Sequence, residues 1–440
     1  MAPAARRSRF AVAAPRPGRA PRPGRAPKPV EYNILLTATL CLLAAGAVMV
    51  YSASSARTLL EGQGDGTVYL VKYLAYGAVG LVVLQLLARG GLELLPRLTP
   101  GLLALSFVLL LAVKIPGIGL EINGARRWIG AGPLQFQPSE LMKLALVLHA
   151  TGLLATTPSR LQSLKDGATG PLLLVAGAAI VLVATQPDLG TALVIAFTIG
   201  ALALVAGVPL PLLGKIAGVG ALLVALFILV EPYRAARVTA FVNPWAHADS
   251  SGFQSVQGQI ALGSGGLFGV GLGESVQKVF YLPEAHTDFI LAVVGEELGV
   301  AGVCGLLCLY GLIGYAGLRT AKAAPTRYTQ LLAAGLTALI LCQALLNVFA
   351  VLGIAPLTGV PLPFISSGSS SLLVLLATMG LLLNVAARST SHLASLPGPA
   401  SWPDDARGSS GAQSAHRGGR DGRARGARAG GRRALEGGGR

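Results

Sequence analysis

Charge is what this sequence has least of. Only 12% of its 440 residues are Asp, Glu, Lys or Arg, while 53% are hydrophobic and the mean hydropathy is +0.64. A water-soluble domain of this size needs far more charge to cover its surface, so a soluble globular protein is excluded and a bilayer is the expected solvent. Cysteine is also scarce. Cys41, Cys304, Cys308 and Cys342 all fall in apolar runs without metal-ligand spacing to histidine. That excludes a disulfide scaffold and a zinc module, and leaves the thiols as small core residues. No self-similar halves are visible, which removes sequence support for an inverted-repeat transporter. No cleavable signal peptide precedes the first apolar run near Asn33, so the first span is expected to stay in the mature protein.

Acidic residues are few as well, 19 against 35 Lys and Arg, giving a net charge of +16. Such a balance resembles a nucleic-acid binder until it is localised. Residues 1–30 carry eight Lys/Arg and no acid, and residues 388–440 carry ten Arg against four acids, so all but +2 of the charge sits in the two tails. Two basic tails flanking a near-neutral core predict that both termini are cytoplasmic and that the number of spans is even. The first tail repeats PRPGRA at 15–20 and 21–26, and the second is rich in Gly, Arg and Ser. Neither has apolar content to bury, so residues 1–30 and 389–440 are expected to be disordered. An RGG-like tract can bind nucleic acid. A solvated tail held near anionic headgroups is the preferred reading, with membrane lipids and no nucleic acid as partners.

What is present is a series of apolar runs of membrane-crossing length, roughly 17–25 residues each. They fall near 33–51, 69–87, 101–115, 139–154, 170–185, 191–212, 214–230, 288–318, 330–354 and 371–387. The expected fold is therefore an all-α polytopic membrane protein, with about ten transmembrane helices over residues 31–388. One long external loop, roughly 231–287, joins the seventh and eighth helices, and a loop of that length in a compact core is usually functional. With both ends inside, the segments 116–138, 186–190 and 355–370 also face outward. Arg89, Arg97, Arg160, Lys165, Lys215, Arg319, Lys322 and Arg327 then fall on the cytoplasmic side, as topology asks. Arg126, Arg127, Arg234, Arg237 and Lys278 fall outside, against the positive-inside bias, which points to an anionic ligand at the outer leaflet.

Four segments have the residue types for chemistry there. The first is NGARRWI at 123–129 followed by QPSELMK at 137–143. Adjacent Arg126 and Arg127 offer forked donors suited to diphosphate oxygens. Glu140 lies in the first turn of a helix begun by Pro138. Lys143 follows one turn on, where a membrane charge usually faces a cavity. The alternative is that Glu140 and Lys143, at i and i+3, simply pair. The second is QPDLGT at 186–191, either a turn with Asp188 as helix cap or part of a site. The third, KVFYLPEAHTDF at 278–289, gathers Lys278, Glu284, His286 and Asp288 at the mouth of a membrane helix. There the helix dipole stabilises a carboxylate, and Asp288 suits general-base work; a helix cap in a hydrated loop is the structural alternative. Glu296 and Glu297 follow at a depth where at least one must face a polar interior. The fourth is PLPFISSGSSS at 361–371, which includes Ser366. Irregular backbone at that depth is buried in protein or lines a cavity. His149 stands alone in an apolar span and reads as a core residue.

Together with MVYSAS at 49–54, the segments NGARRWI, QPSELMK, QPDLGTA, YLPEAHTDFI with GEELG, and PLPFIS followed by Gly368, in this order and spacing, resemble the SEDS family of FtsW, RodA and SpoVE proteins. The likeness covers roughly residues 33–388, and YLPEAHTDFI and MVYSAS look most like the division branch, FtsW. The resemblance implies a peptidoglycan glycosyltransferase that polymerises lipid II at the outer face of the cytoplasmic (inner) membrane, at the division septum. A class B penicillin-binding protein is implied as transpeptidase partner, among other division proteins. The family's essential acid matches Asp288, and its loop and helix cations match Arg126, Arg127 and Lys143. Two departures stand out. Ser366-Ser-Gly-Ser-Ser370 stands where the family often reads Ser-Tyr-Gly-Gly-Ser, and Pro356-Leu-Thr-Gly359 where division members often carry Thr-Lys-Gly. No aromatic or lysine contact is carried over to those positions.

In the mechanism that follows, an acceptor sugar hydroxyl attacks the anomeric carbon of a sugar linked to undecaprenyl diphosphate. Asp288 takes the hydroxyl proton, and Arg126, Arg127 and Lys143, with Lys278, stabilise the departing diphosphate. A divalent cation is compatible with that work, but no ligand cluster in the sequence demonstrates one and no other cofactor is expected. The rival readings are a lipid II flippase, with the same cations and no bond made, and a non-enzymatic division scaffold.

Overall fold

The computed structural model describes residues 28–60, 67–122, 124–131, 134–156, 169–230, 232–279, 282 and 285–395. The expected tails at 1–30 and 389–440 lie almost wholly outside these residues. Twelve helices are described: α1 (Val30–Leu60), α2 (Thr67–Arg89), α3 (Leu95–Ala112), α4 (Pro138–Thr156), α5 (Thr169–Ala184), α6 (Leu189–Ala206), α7 (Leu210–Val230), α8 (Pro232–Val242), α9 (Phe253–Ser264), α10 (Ile290–Ala323), α11 (Arg327–Val351) and α12 (Ser369–Ser395). A helix occupies each of the ten apolar runs. Seven stretches, in α1, α2, α3, α6, α10, α11 and α12, are long and apolar enough to cross a membrane. Gly170–Ala184 and Leu210–Leu226 are shorter apolar stretches, and α4 holds Glu140 and Lys143 in its first two turns.

The all-α expectation needs correction at 116–138. Three short strands, β1 (Gly119–Ile122), β2 (Ala125–Ala131) and β3 (Leu134–Phe136), form an antiparallel sheet in the order β1-β2-β3. Trp128 pairs with Leu120, and Arg126 with Glu121 across a bulge. The dipeptides Asn-Gly at 123–124 and Gly-Pro at 132–133 are hairpin signals, but strands of three to seven residues escape a search for spans. The long connection at 231–287 carries two short helices, α8 and α9.

Among the apolar stretches of membrane-spanning length, those of α11 and α12 are 78% and 83% buried, against 22% and 17% for α2 and α3. The bundle is therefore built around α11 and α12, with α10 and α4 against them and lipid-facing surface at the rim. At one end, Arg319 pairs with Glu31 at 3.2 Å, Arg388 donates to the Gly90 carbonyl, and Arg327 donates to the Ala206 carbonyl. The sheet, the 186–188 turn and the segments 273–279, 285–288 and 355–368 lie at the opposite ends of the same helices.

Helix α10 is broken two turns below its start. Gly299 has φ 65° and ψ −165°, and a Cβ there would lie 2.4 Å from the Gly269 nitrogen. The break frees backbone groups that cannot be left bare in lipid. Segment 266–271 takes them up. Val270 and Gly271 donate N–H to the carbonyls of Glu296 and Glu297, and Val300 and Ala301 donate to those of Gly266 and Leu267.

Candidate active site

Asp288 stands immediately before α10, whose N-cap is Phe289. Its Oδ1 accepts a hydrogen bond from Thr287 Oγ1 at 3.2 Å, and its carbonyl accepts from Asn347 Nδ2 at 2.7 Å. The same Nδ2 donates to the Val360 carbonyl at 2.8 Å. Across from the carboxylate lies Gly359, at φ 67°, where a Cβ would sit 3.9 Å from Asp288 Oδ2. Two residues upstream, the His286 carbonyl accepts from both Ser367 N (3.1 Å) and Ser367 Oγ (2.8 Å). The His286 ring lies 4.6 Å from that of Tyr69 on α2. The entry to α10 is thus stitched to the segment before α12 on either side of the carboxylate.

That segment is irregular for a reason written in its sequence. Pro356, Pro361 and Pro363 have no N–H to donate and interrupt any helix or ladder, so the carbonyls of 361, 363 and 364 are not taken up by regular structure. Side chains from three helices take them up instead. Tyr73 donates to the Phe364 carbonyl at 2.5 Å, Tyr310 to that of Pro363 at 2.6 Å, and Gln343 Nε2 to that of Pro361 at 3.0 Å. Ser366 works within the same segment, where its Oγ accepts from Leu362 N at 2.8 Å. Val360, Leu362, Phe364, Ile365 and Ser366 are all buried, so the backbone is irregular but held.

Two buried ion pairs flank the site. Lys143 Nζ lies 2.9 Å from Glu140 Oε2 and also donates to Gln343 Oε1 at 2.6 Å. The pairing at i and i+3, the structural alternative for these residues, is the geometry found. Lys278 Nζ lies 2.8 Å from Glu297 Oε1 and donates to Ser52 Oγ at 3.1 Å and the Gly273 carbonyl at 2.7 Å. Ser52 Oγ in turn donates to Glu297 at 2.6 Å. Glu296 accepts from Ser275 Oγ at 2.5 Å and from the N–H groups of Val276 and Gln277. Both glutamates therefore face the polar interior, where the desolvation cost of a charge demands a partner.

The arginines differ from these lysines in exposure. Arg126 Nε meets Glu121 Oε2 at 3.0 Å, with both side chains about half exposed, 45% and 54%. Arg127 Nε donates to the Gln186 carbonyl at 3.0 Å and its Nη2 to that of Pro187, clamping β2 onto the turn before α6. In that turn Asp188 is the helix cap, accepting from Thr191 N at 3.2 Å, and its second oxygen accepts from Gln137 and Ser139. Glu284 and the side chains of Arg234 and Arg237 lie outside the described residues. Among the described residues no three His, Cys, Asp or Glu side chains gather as metal ligands.

Sequence reading did not single out Asn347 and Gln343. Their signal is a pair of amides at i and i+4 inside an apolar span, both fully buried. Ser52, inside MVYSAS, is likewise found only through its partners.

Residues 33–391 match the family model described as "Cell cycle protein", that of FtsW, RodA and SpoVE. The chain is 41% identical over 357 residues to the probable peptidoglycan glycosyltransferase FtsW of Coxiella burnetii, covering 80% of this chain and 95% of that one. It is 38% identical over 359 residues to stage V sporulation protein E of Bacillus subtilis, covering 80% and 96%. Among solved structures it is similar to a chain of a peptidoglycan synthase complex described as coordinating polymerization and crosslinking (TM-score 0.65, 30% identity, 81% of this chain and 97% of that one). It is also similar to the rod shape determining protein RodA of Thermus thermophilus (TM-score 0.58, 32% identity, 80% and 95%). By sequence across the whole membrane domain and by fold, this chain belongs to the FtsW/RodA/SpoVE family of integral membrane proteins.

Proposed function

We propose that this chain is a peptidoglycan glycosyltransferase that polymerises lipid II into glycan strands at the outer face of the cytoplasmic membrane, in the division role of FtsW. The observation that carries the reading is the setting of Asp288. A carboxylate stands at the mouth of a membrane helix, its main chain tied to α11, with Gly359, which has no side chain, on the facing segment. Relatives bearing the name peptidoglycan glycosyltransferase, matched along nearly their whole length, support the same chemistry.

In this reading Asp288 takes the proton from the acceptor hydroxyl as that oxygen attacks the anomeric carbon, and the diphosphate lipid departs. Arg126 and Arg127, exposed and half-buried beside the turn at 186–188, are the diphosphate-facing cations. Lys143 and Lys278, each sealed against a glutamate, act through the shape they give the site. A divalent cation brought with the substrate would help neutralise the diphosphate, but among the described residues no three His, Cys, Asp or Glu side chains gather to hold one. The frame is ten spans with both basic tails, residues 1–30 and 389–440, in the cytoplasm. The partner is a class B penicillin-binding protein at the septum, in keeping with the similarity to a chain of a complex that coordinates polymerization and crosslinking.

Purified protein, with and without its cognate transpeptidase, is given labelled lipid II in detergent, and products are resolved by length. Glycan ladders from the wild type that vanish in Asp288→Ala, with the fold retained, are expected. Absence of polymer from the wild type with its partner sinks the polymerase reading and moves the question to a liposome translocation assay for the flippase.

A further inference from the structure

Asn347 lies on α11, outside every segment with apparent chemistry and 59 residues from Asp288, and yet its carboxamide touches the main chain of Asp288. We propose that Asn347 is a positioning residue for polymerisation, fixing Asp288 against the 358–361 segment and so setting where its carboxylate stands. The inference deepens the polymerase reading of this site and rests on it.

The argument begins with acceptors. The carbonyls of Asp288 and Val360 converge on one atom, Asn347 Nδ2, at 2.7 and 2.8 Å. An amide NH2 carries two hydrogens on one atom, so it can donate to both carbonyls at once and join the two segments. That double donation also sets the amide's orientation. Among the described residues Asn347 Oδ1 is buried with no hydrogen-bond partner, so the hydrogen bonds of this side chain are the two donated by Nδ2. What it gains is the bridge between two chain segments.

The bridge sits where it matters for the carboxylate. Asp288 Oδ2 looks toward Gly359, the residue before Val360. The bond from Asn347 to the Val360 carbonyl therefore fixes the wall opposite the carboxylate, and the bond to the Asp288 carbonyl fixes the carboxylate's own backbone. One turn earlier, Gln343 Nε2 makes the corresponding bond to Pro361 and also donates to Ser371 Oγ, while its Oε1 accepts from Lys143. Both amides project from α11, a central helix that is itself held on several sides. A general base set off its line by an ångström loses on the order of a hundredfold in rate.

The test compares wild type, Asp288→Ala, Asn347→Ala and the near-isosteric Asn347→Asp, each with the cognate transpeptidase, in steady-state polymerisation of labelled lipid II. Thermal stability in detergent normalises activity to folded protein. Both Asn347 variants are expected to lose about 10- to 100-fold in kcat, with KM for lipid II within about threefold of wild type, since the residue touches no substrate. A residue with a merely structural role would lower the melting temperature and leave kcat per folded molecule intact. That result, kcat within about twofold of wild type in the variant that folds, overturns the inference while Asp288→Ala remains inactive and the polymerase reading stands. If neither Asn347 variant folds, Asn347 is a folding determinant and the inference falls. Wild type that makes no polymer overturns both readings together.

Discussion

Lys278 Nζ and Glu297 Oε1 lie 2.8 Å apart, with side chains 3% and 0% exposed. The lysine belongs to the connection before α10 and the glutamate to α10 itself, so the pair ties that connection to the helix behind Asp288. Removing one member takes the counter-charge from the other in the interior and leaves it only hydrogen bonds. Lys278→Ala is expected to cost about 3–5 kcal/mol of stability, and Lys278→Met with Glu297→Leu to recover most of it. Thermal unfolding in detergent checks this. A Lys278→Ala protein that melts like wild type but binds lipid II poorly would instead make the lysine a substrate contact.

Arg126 and Arg127 are adjacent in sequence and unlike in setting. The half-exposed Arg126–Glu121 pair contributes on the order of 0–1 kcal/mol, so Arg126→Ala should leave the melting temperature almost unchanged. Its expected effect is a raised KM for lipid II. Arg127→Ala removes both bonds to the 186–187 turn and should lower stability as well as kcat/KM. Equal melting temperatures in the two variants would contradict the clamp.

Gly359 combines a left-handed φ with a position facing the Asp288 carboxylate. Gly359→Ala is expected to cost about 1 kcal/mol through backbone strain alone. Because the new methyl group meets the carboxylate, kcat should fall further than this stability loss explains. Polymer yield per folded molecule is the measurement.

Asp188 caps α6 and also receives Gln137 and Ser139. Asp188→Ala should destabilise by about 1–2 kcal/mol for the cap, with more for the two stranded donors. Asp188→Asn keeps one acceptor oxygen for the cap and is expected to fall between wild type and Ala in thermal stability.

The helices were legible because hydropathy in a bilayer is a one-dimensional signal, and each of the ten apolar runs holds a helix. The Glu140–Lys143 pair was legible as an alternative because three residues along a helix is a contact distance, and the cap at Asp188 because capping is local. Lys278 was not. Its partners Glu297 and Ser52 lie 19 and 226 residues away, and nothing in its own segment says that it turns inward. Asn347 and Gln343 were visible as amides in an apolar span, but their partners are largely main-chain carbonyls, which every sequence has at every position. The small sheet was missed because its strands are shorter than any hydropathy run, though its turn dipeptides were in plain view.

The break in α10 at Gly299 has a consequence for how this helix tolerates change. In an unbroken helix each residue turns the face by about 100°, so one inserted residue rotates everything beyond it. At Gly299 that phase is reset by backbone bonds to 266–271, which need glycine at 269 and 299 but no particular side chain further along α10. The first half can aim Glu296 and Glu297 inward while the second half chooses separately which face meets α11 and which meets lipid. Sequence drift along the second half can then reshape the membrane-facing seam without turning the carboxylates out of the interior.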